Sequence, residues 1–87
     1  MYFFQNLRNN WNSQEDIYLL EKSIRLKMKW SEIAKKMSGR TQHSVKNRVV
    51  YLMKKTLDMS REKIREKIKN KEATNFAILT LDSLKKF

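Results

Sequence analysis

The stretch SGRTQHSVKNRVVYLMKK, residues 38–55, combines a turn with a helix that is both apolar and basic. Gly39 suits the turn, and Thr41 is predicted to cap the helix that follows. Apolar residues at i, i+4, i+7 and i+8 predict a side that faces a core: Val45, Val49, Leu52 and Met53. The same stretch carries five basic residues and no acidic one. It therefore predicts a helix with a basic face turned away from its core.

The outward face follows from the rotation of 100° per residue in a helix. It is predicted to hold His43, Lys46, Asn47, Val50, Tyr51 and Lys54. Lys55 and Arg48 lie on its flanks, and Arg48 is expected to pair with an acidic residue near the start of the chain, Glu15, Asp16 or Glu21. For His43 and Tyr51 both a ligand contact and an ordinary structural position stay open.

Two helices are predicted before this one. Ser13 is expected to cap the first, over about residues 14–26, with its core face on Ile17, Leu20, Ile24 and Met28. The second begins near Trp30, and Gly39 is expected to end it. Both tryptophans are expected in the core. Three short helices with a tight turn before the last make a helix-turn-helix, which offers its last helix to the major groove of DNA.

The composition excludes several classes of protein. The chain has no cysteine, one histidine, one glycine and no proline among 87 residues, which favours an all-α fold and speaks against metal sites and cofactors. No arrangement of residues suggests catalysis or a small-molecule substrate, and no apolar run is long enough to span a membrane. The net charge of +11 predicts a polyanionic partner, nucleic acid before an anionic membrane surface.

The last third of the chain is predicted to be a helical extension. Residues 60–73 form a charged helix with Ile64 and Ile68 on one side, and residues 75–87 are the most apolar segment. That segment either packs back on the domain or docks a protein partner or a second copy through Phe76, Ile78, Leu79, Leu81, Leu84 and Phe87. A strand at residues 76–81 is a further possibility.

Three motifs resemble those of the Myb repeat, a domain of three helices around spaced tryptophans. They are WNSQED, KWSEIAKKM and GRTQHSVKN, with eighteen residues between Trp11 and Trp30. The resemblance covers residues 11–55, and it places Val49 where the family has a third tryptophan. Lys27 stands where the family usually has glycine, which implies a differently shaped turn. The expected organisation is a linker or the end of a preceding repeat at 1–10, a Myb-like domain at 11–57 and the extension at 58–87.

The resemblance implies which residues touch DNA. Lys46 and Asn47 match the family's base readers, and His43, Val50 and Tyr51 fall on its other reading positions. Lysine can donate to guanine and asparagine can bond an adenine edge. Arg40, Thr41 and Lys54 are expected to hold phosphates.

The function that follows is duplex-DNA binding by a nuclear transcription-factor or chromatin module that is not an enzyme. A SANT-type protein-interaction module is the first alternative, although a binder of histone tails needs an acidic surface. The second is an accessory subunit of a chromatin or DNA-modifying complex, such as a methyltransferase, that docks through its apolar tail. A telomere-repeat reader fits less well, since only Val45 and Lys46 match its motif.

Overall fold

Five helices follow one another in the computed structural model, which describes residues 10–86. They are α1 (Ser13–Arg25), α2 (Trp30–Lys35), α3 (Gln42–Leu57), α4 (Arg61–Lys69) and α5 (Thr74–Lys85). The all-α prediction is confirmed, and the strand at 76–81 is wrong because those residues lie within α5. The predicted linker or repeat end lies almost wholly outside the described residues, as does Phe87.

The start of α1 is fixed by a capping box one residue before the predicted cap. The Asn12 side chain accepts a hydrogen bond of 2.8 Å from the backbone N–H of Glu15, whose carboxylate accepts one of 3.4 Å from the N–H of Asn12. Ser13 is therefore the first helical residue and not the cap. Leu19 and Leu20 are fully buried, whereas the predicted Ile17 and Ile24 are only partly buried.

The turn between α1 and α2 takes an unusual backbone path. Lys27 and Met28 both adopt left-handed conformations, with φ of 54° and 63°. In this conformation a residue with a Cβ is less stable than glycine by about 1–2 kcal/mol. Lys27 thus adopts the backbone conformation that glycine favours, and the differently shaped turn expected from its replacement of glycine is not needed. Gly39, with φ of 77°, serves the next turn; it does not end α2, which stops at Lys35.

The core forms where α3 meets the other four helices. Val45, Val49, Leu52 and Met53 are buried as predicted, and Val49 fills a core position without the bulk of tryptophan. Trp11 and Trp30 pack against this core but stay partly exposed, so the expectation that they lie inside it is only half met.

The extension packs back on the domain. α5 contacts α1 and α3, and α4 contacts α3. Ala77, Thr80 and Leu81 are buried in these contacts, and the Thr56 hydroxyl donates a hydrogen bond of 3.2 Å to Thr80 Oγ1. Among the five docking residues that the structure describes, Leu81 is therefore part of the core and Phe76 and Leu84 are half-buried. Only Ile78 and Leu79 of these five are exposed, by 40% and 52%.

Candidate nucleic-acid interface

Helix α3 presents one exposed stripe between its flanking partners. Thr41 caps the helix as predicted, accepting a hydrogen bond of 3.0 Å from the backbone N–H of Ser44. His43, Asn47, Tyr51 and Lys54 follow at i, i+4, i+8 and i+11, which places them on one side of the helix. His43, Tyr51 and Lys54 are exposed and Asn47 is half-buried. We call these four residues the α3 stripe.

Two residues of the α3 stripe, His43 and Asn47, are hydrogen-bonded to each other. Asn47 Nδ2 lies 3.0 Å from His43 Nε2. An amide nitrogen can only donate, so this contact requires an unprotonated Nε2 on the histidine. Asn47 then keeps one amide hydrogen and its carbonyl oxygen for another partner, the donor and acceptor pair that an adenine edge needs. Lys46 lies beside this pair and is half-buried.

The prediction that Val50 faces outward is wrong. Its side chain is fully buried in the apolar cluster that also contains Ile64 of α4. A three-helix domain would cover only one arc of α3, but α4 and α5 also pack against it here and widen the buried arc. A side chain without exposed surface cannot touch a base, so Val50 is not a base contact in this fold.

The prediction that Arg40 offers its charge to a phosphate is also wrong. The guanidinium is buried, lies 3.7 Å from the centre of the Trp11 ring and donates to Glu15 Oε2 at 3.1 Å. It also donates to the backbone carbonyl of Asn10. Burial beside a carboxylate and an indole gives Arg40 a structural role: it ties the turn before α3 to the start of α1.

The predicted ion pair of Arg48 is confirmed. Its Nε and Nη2 donate to the two carboxylate oxygens of Asp16, each over 2.8 Å. These hydrogen bonds raise the pKa of Arg48 above its usual value, against the opposing effect of partial burial. The guanidinium also lies 4.7 Å from the centre of the Tyr51 ring. Asp16 therefore holds Arg48 in place, and Arg48 in turn supports Tyr51.

One basic residue beside the α3 stripe was missed by the sequence reasoning. Arg61, the first residue of α4, lines a shallow groove of about 370 Å³ together with Trp11, Asn47 and Tyr51. The sequence pattern assigned Arg61 to a solvated charged helix, because nothing in it relates α4 to the outer side of α3. The fold brings a further exposed cation to this surface.

The described part of the chain holds no cluster of three side chains suited to a metal ion. Over the same residues, 10–86, no helix has the length and apolarity needed to cross a bilayer.

Comparison with known proteins gives the family. The sequence profile of the Myb-like DNA-binding domain matches residues 8–52, which is more than half of the chain. The Arabidopsis thaliana transcription factor MYB124 is 46% identical over 48 residues, which cover 55% of this chain and 11% of that protein. Bradyzoite-formation deficient protein 1 of Toxoplasma gondii is 38% identical over 56 residues, 64% of this chain and 2% of that protein.

The chain thus spans about a tenth or less of these relatives. No solved structure matches it. The profile match covers α1 and α2 and most of α3, whose apolar side is buried as the family's three-helix fold requires. The chain belongs to the Myb-like DNA-binding domain family.

Proposed function

We propose that this chain binds double-stranded DNA by inserting α3 into the major groove, with the α3 stripe toward the bases. The observation that supports this most directly is the hydrogen bond between His43 and Asn47 on the outward side of α3. The α3 stripe, to which both belong, contains no acidic residue. A base edge is recognised by such a fixed donor and acceptor, and an acidic neighbour would repel the phosphates.

The individual roles follow from chemistry and exposure. Asn47 reads adenine, held in orientation by His43, and Lys46 donates to guanine O6 and N7. Thr41, at the exposed start of α3, and Lys54, near its end, contact phosphates. Tyr51 packs against a sugar with its ring supported by Arg48. Each base contact contributes about 1–3 kcal/mol of discrimination.

Arg61 extends this interface beyond α3. It is exposed, it carries a permanent charge, and it lines the groove that Asn47 and Tyr51 also line. A backbone phosphate beside α3 would therefore meet a cation that the three-helix family pattern does not supply.

The biological role that fits is regulation of transcription in the nucleus, without catalysis, as the matched relatives' names include transcription factors. The accessory-subunit alternative has lost its main support, because α5 packs on α1 and α3. The SANT-type alternative needs an acidic surface, and the α3 stripe contains no acidic residue. A partner or self-association through Ile78 and Leu79 stays a prediction.

The test is selection from a pool of random duplexes at about 50 and 200 mM salt. The wild-type chain is compared with Lys46→Ala/Asn47→Ala and with the matched control Lys69→Ala/Asn70→Ala, an exposed lysine–asparagine pair at the end of α4. We expect the wild type and the control to enrich the same sequence, and the α3 variant to lose it. Equal enrichment by all three proteins would show that α3 does not read bases.

The contribution of Arg61 is measured in the same assay. Arg61→Ala should lower the salt dependence of binding by about one phosphate contact, whereas Arg65→Ala, the same change at an exposed position of α4, should leave it unchanged. A salt slope of Arg61→Ala equal to that of the wild type would remove Arg61 from the interface and leave the role of α3 standing.

A further inference from the structure

A second concave surface lies away from the α3 stripe, where the turn between α1 and α2 meets the junction of α4 and α5. The cavity measures about 480 Å³. Its floor is apolar and is formed by Ile24, Met28, Ile68 and Ala73. No lining residue belongs to the α3 stripe or to the groove of Arg61.

The rim of this cavity is basic. Lys27, Lys29 and Lys71 line it and are exposed, and no aspartate or glutamate is among its lining residues. Glu72, the nearest acidic residue along the chain, instead lies 3.6 Å from the ammonium of Lys67. An apolar floor with three surrounding lysines is complementary to a ligand with an apolar centre and negative flanks.

The backbone holds two of these lysines at a cost. Lys27 and Lys71 have φ of 54° and 62°, in the left-handed region where glycine is favoured. Met28, on the floor, has φ of 63°. Three of the four non-glycine residues with positive φ in residues 10–86 thus line one cavity. Lys27 and Lys71 each follow the end of a helix, which the N–H of Met28 closes by donating to the Ser23 carbonyl over 2.9 Å and the N–H of Glu72 by donating to the Lys67 carbonyl over 2.8 Å. The ends of α1 and α4 therefore fix where these two lysines lie at the cavity.

We propose that this cavity binds an acidic peptide segment of a partner protein. One bulky apolar side chain of the segment fills the floor, and carboxylates beside it pair with Lys27, Lys29 and Lys71. Nucleic acid fits less well, because no aromatic side chain lines the cavity to stack a base and a phosphate has no apolar group to fill the floor. The site leaves the α3 stripe exposed, so a partner could be held on DNA.

The probe is a short fluorescent peptide with a central phenylalanine between glutamates, titrated with the whole chain at about 150 mM salt. The double substitution Lys27→Gly/Lys71→Gly removes two rim charges. Both residues have left-handed backbone conformations that glycine adopts readily, so we expect the variant to fold. We expect it to weaken binding by about fivefold. The control Lys35→Ala/Lys63→Ala removes the same charge at exposed helical positions and should change binding less than about twofold. A peptide with serine in place of phenylalanine should bind more weakly as well.

Several results would overturn the proposal. Equal weakening by both lysine pairs, or equal binding of the serine peptide, would mean general attraction to a basic protein. Displacement of the peptide by a short duplex, with DNA binding weakened by the glycine variant, would assign the lysines to phosphates. Binding of anionic vesicles without binding of the peptide would assign the cavity to lipid. Thermal melts of each variant confirm that it is folded, and DNA selection tests the role of α3 separately.

Discussion

Substitution of Val50 by alanine separates the role that the family pattern suggests from the one that the fold assigns. Val50 is fully buried, so Val50→Ala removes two buried methyl carbons. At about 0.8 kcal/mol each, their transfer accounts for about 1.6 kcal/mol. The cavity left in the core raises the expected loss to about 2–2.5 kcal/mol. For a domain of this size the melting temperature should fall by about 8–20 °C.

The assay is a thermal melt followed by circular dichroism, together with DNA binding measured well below the midpoint. Val50→Ala should melt early and, while folded, bind DNA like the wild type. Tyr51→Ala is the matched neighbour: its side chain is 38% exposed and supported by Arg48, so the loss of stability should stay below about 1 kcal/mol while DNA binding weakens. A Val50→Ala protein that melts with the wild type but no longer binds DNA would refute the assignment of Val50 to the core.

Two further substitutions test the fold. Asp16→Asn removes the carboxylate that accepts both hydrogen bonds from the partly buried Arg48. The free energy of unfolding, measured in urea, should fall by about 2 kcal/mol, a value between those of an exposed ion pair and a fully buried one. A fall no larger than that of Glu32→Gln, at an exposed position, would argue against a structural ion pair. Lys27→Gly removes the left-handed penalty but loosens the unfolded chain, so it should raise the free energy of unfolding by about 0.5–1 kcal/mol. Arg65→Gly, at an exposed position inside α4, should lower it by about 1 kcal/mol. Destabilisation by both would show that Lys27 is not strained.

Local sequence patterns predicted the helices, the core side of α3 and its N-terminal cap well. The spacing of Val45, Val49, Leu52 and Met53 gave the core side of α3, and Thr41 caps the helix. The cap of α1 was placed at Ser13 and not Asn12 because both residues are good caps and only the reciprocal bond to Glu15 separates them.

The errors come from contacts between residues far apart along the chain. Arg40 has the charge and position of a phosphate contact, but Trp11 and Glu15 bury it. Val50 lies on the arc that the helical periodicity turns outward, yet it is buried in the cluster that also contains Ile64 of α4. Arg61 likewise lies beside the α3 stripe only because α4 packs on α3. Periodicity describes one helix at a time, so it does not reveal which second surface of a helix will be covered.

The packing of α5 against α1 and α3 separates the residues that we propose to contact DNA from the residues that complete the core. A fragment trimmed after Leu57 would retain every residue of the α3 stripe yet uncover the core around Val50 and the sides of α1 and α3 that α5 protects. Anyone who transplants this module into another protein, or shortens it for solution work, therefore has to carry α4 and α5 along. Substitutions at Leu81 could likewise abolish DNA binding from a distance, through loss of the scaffold alone.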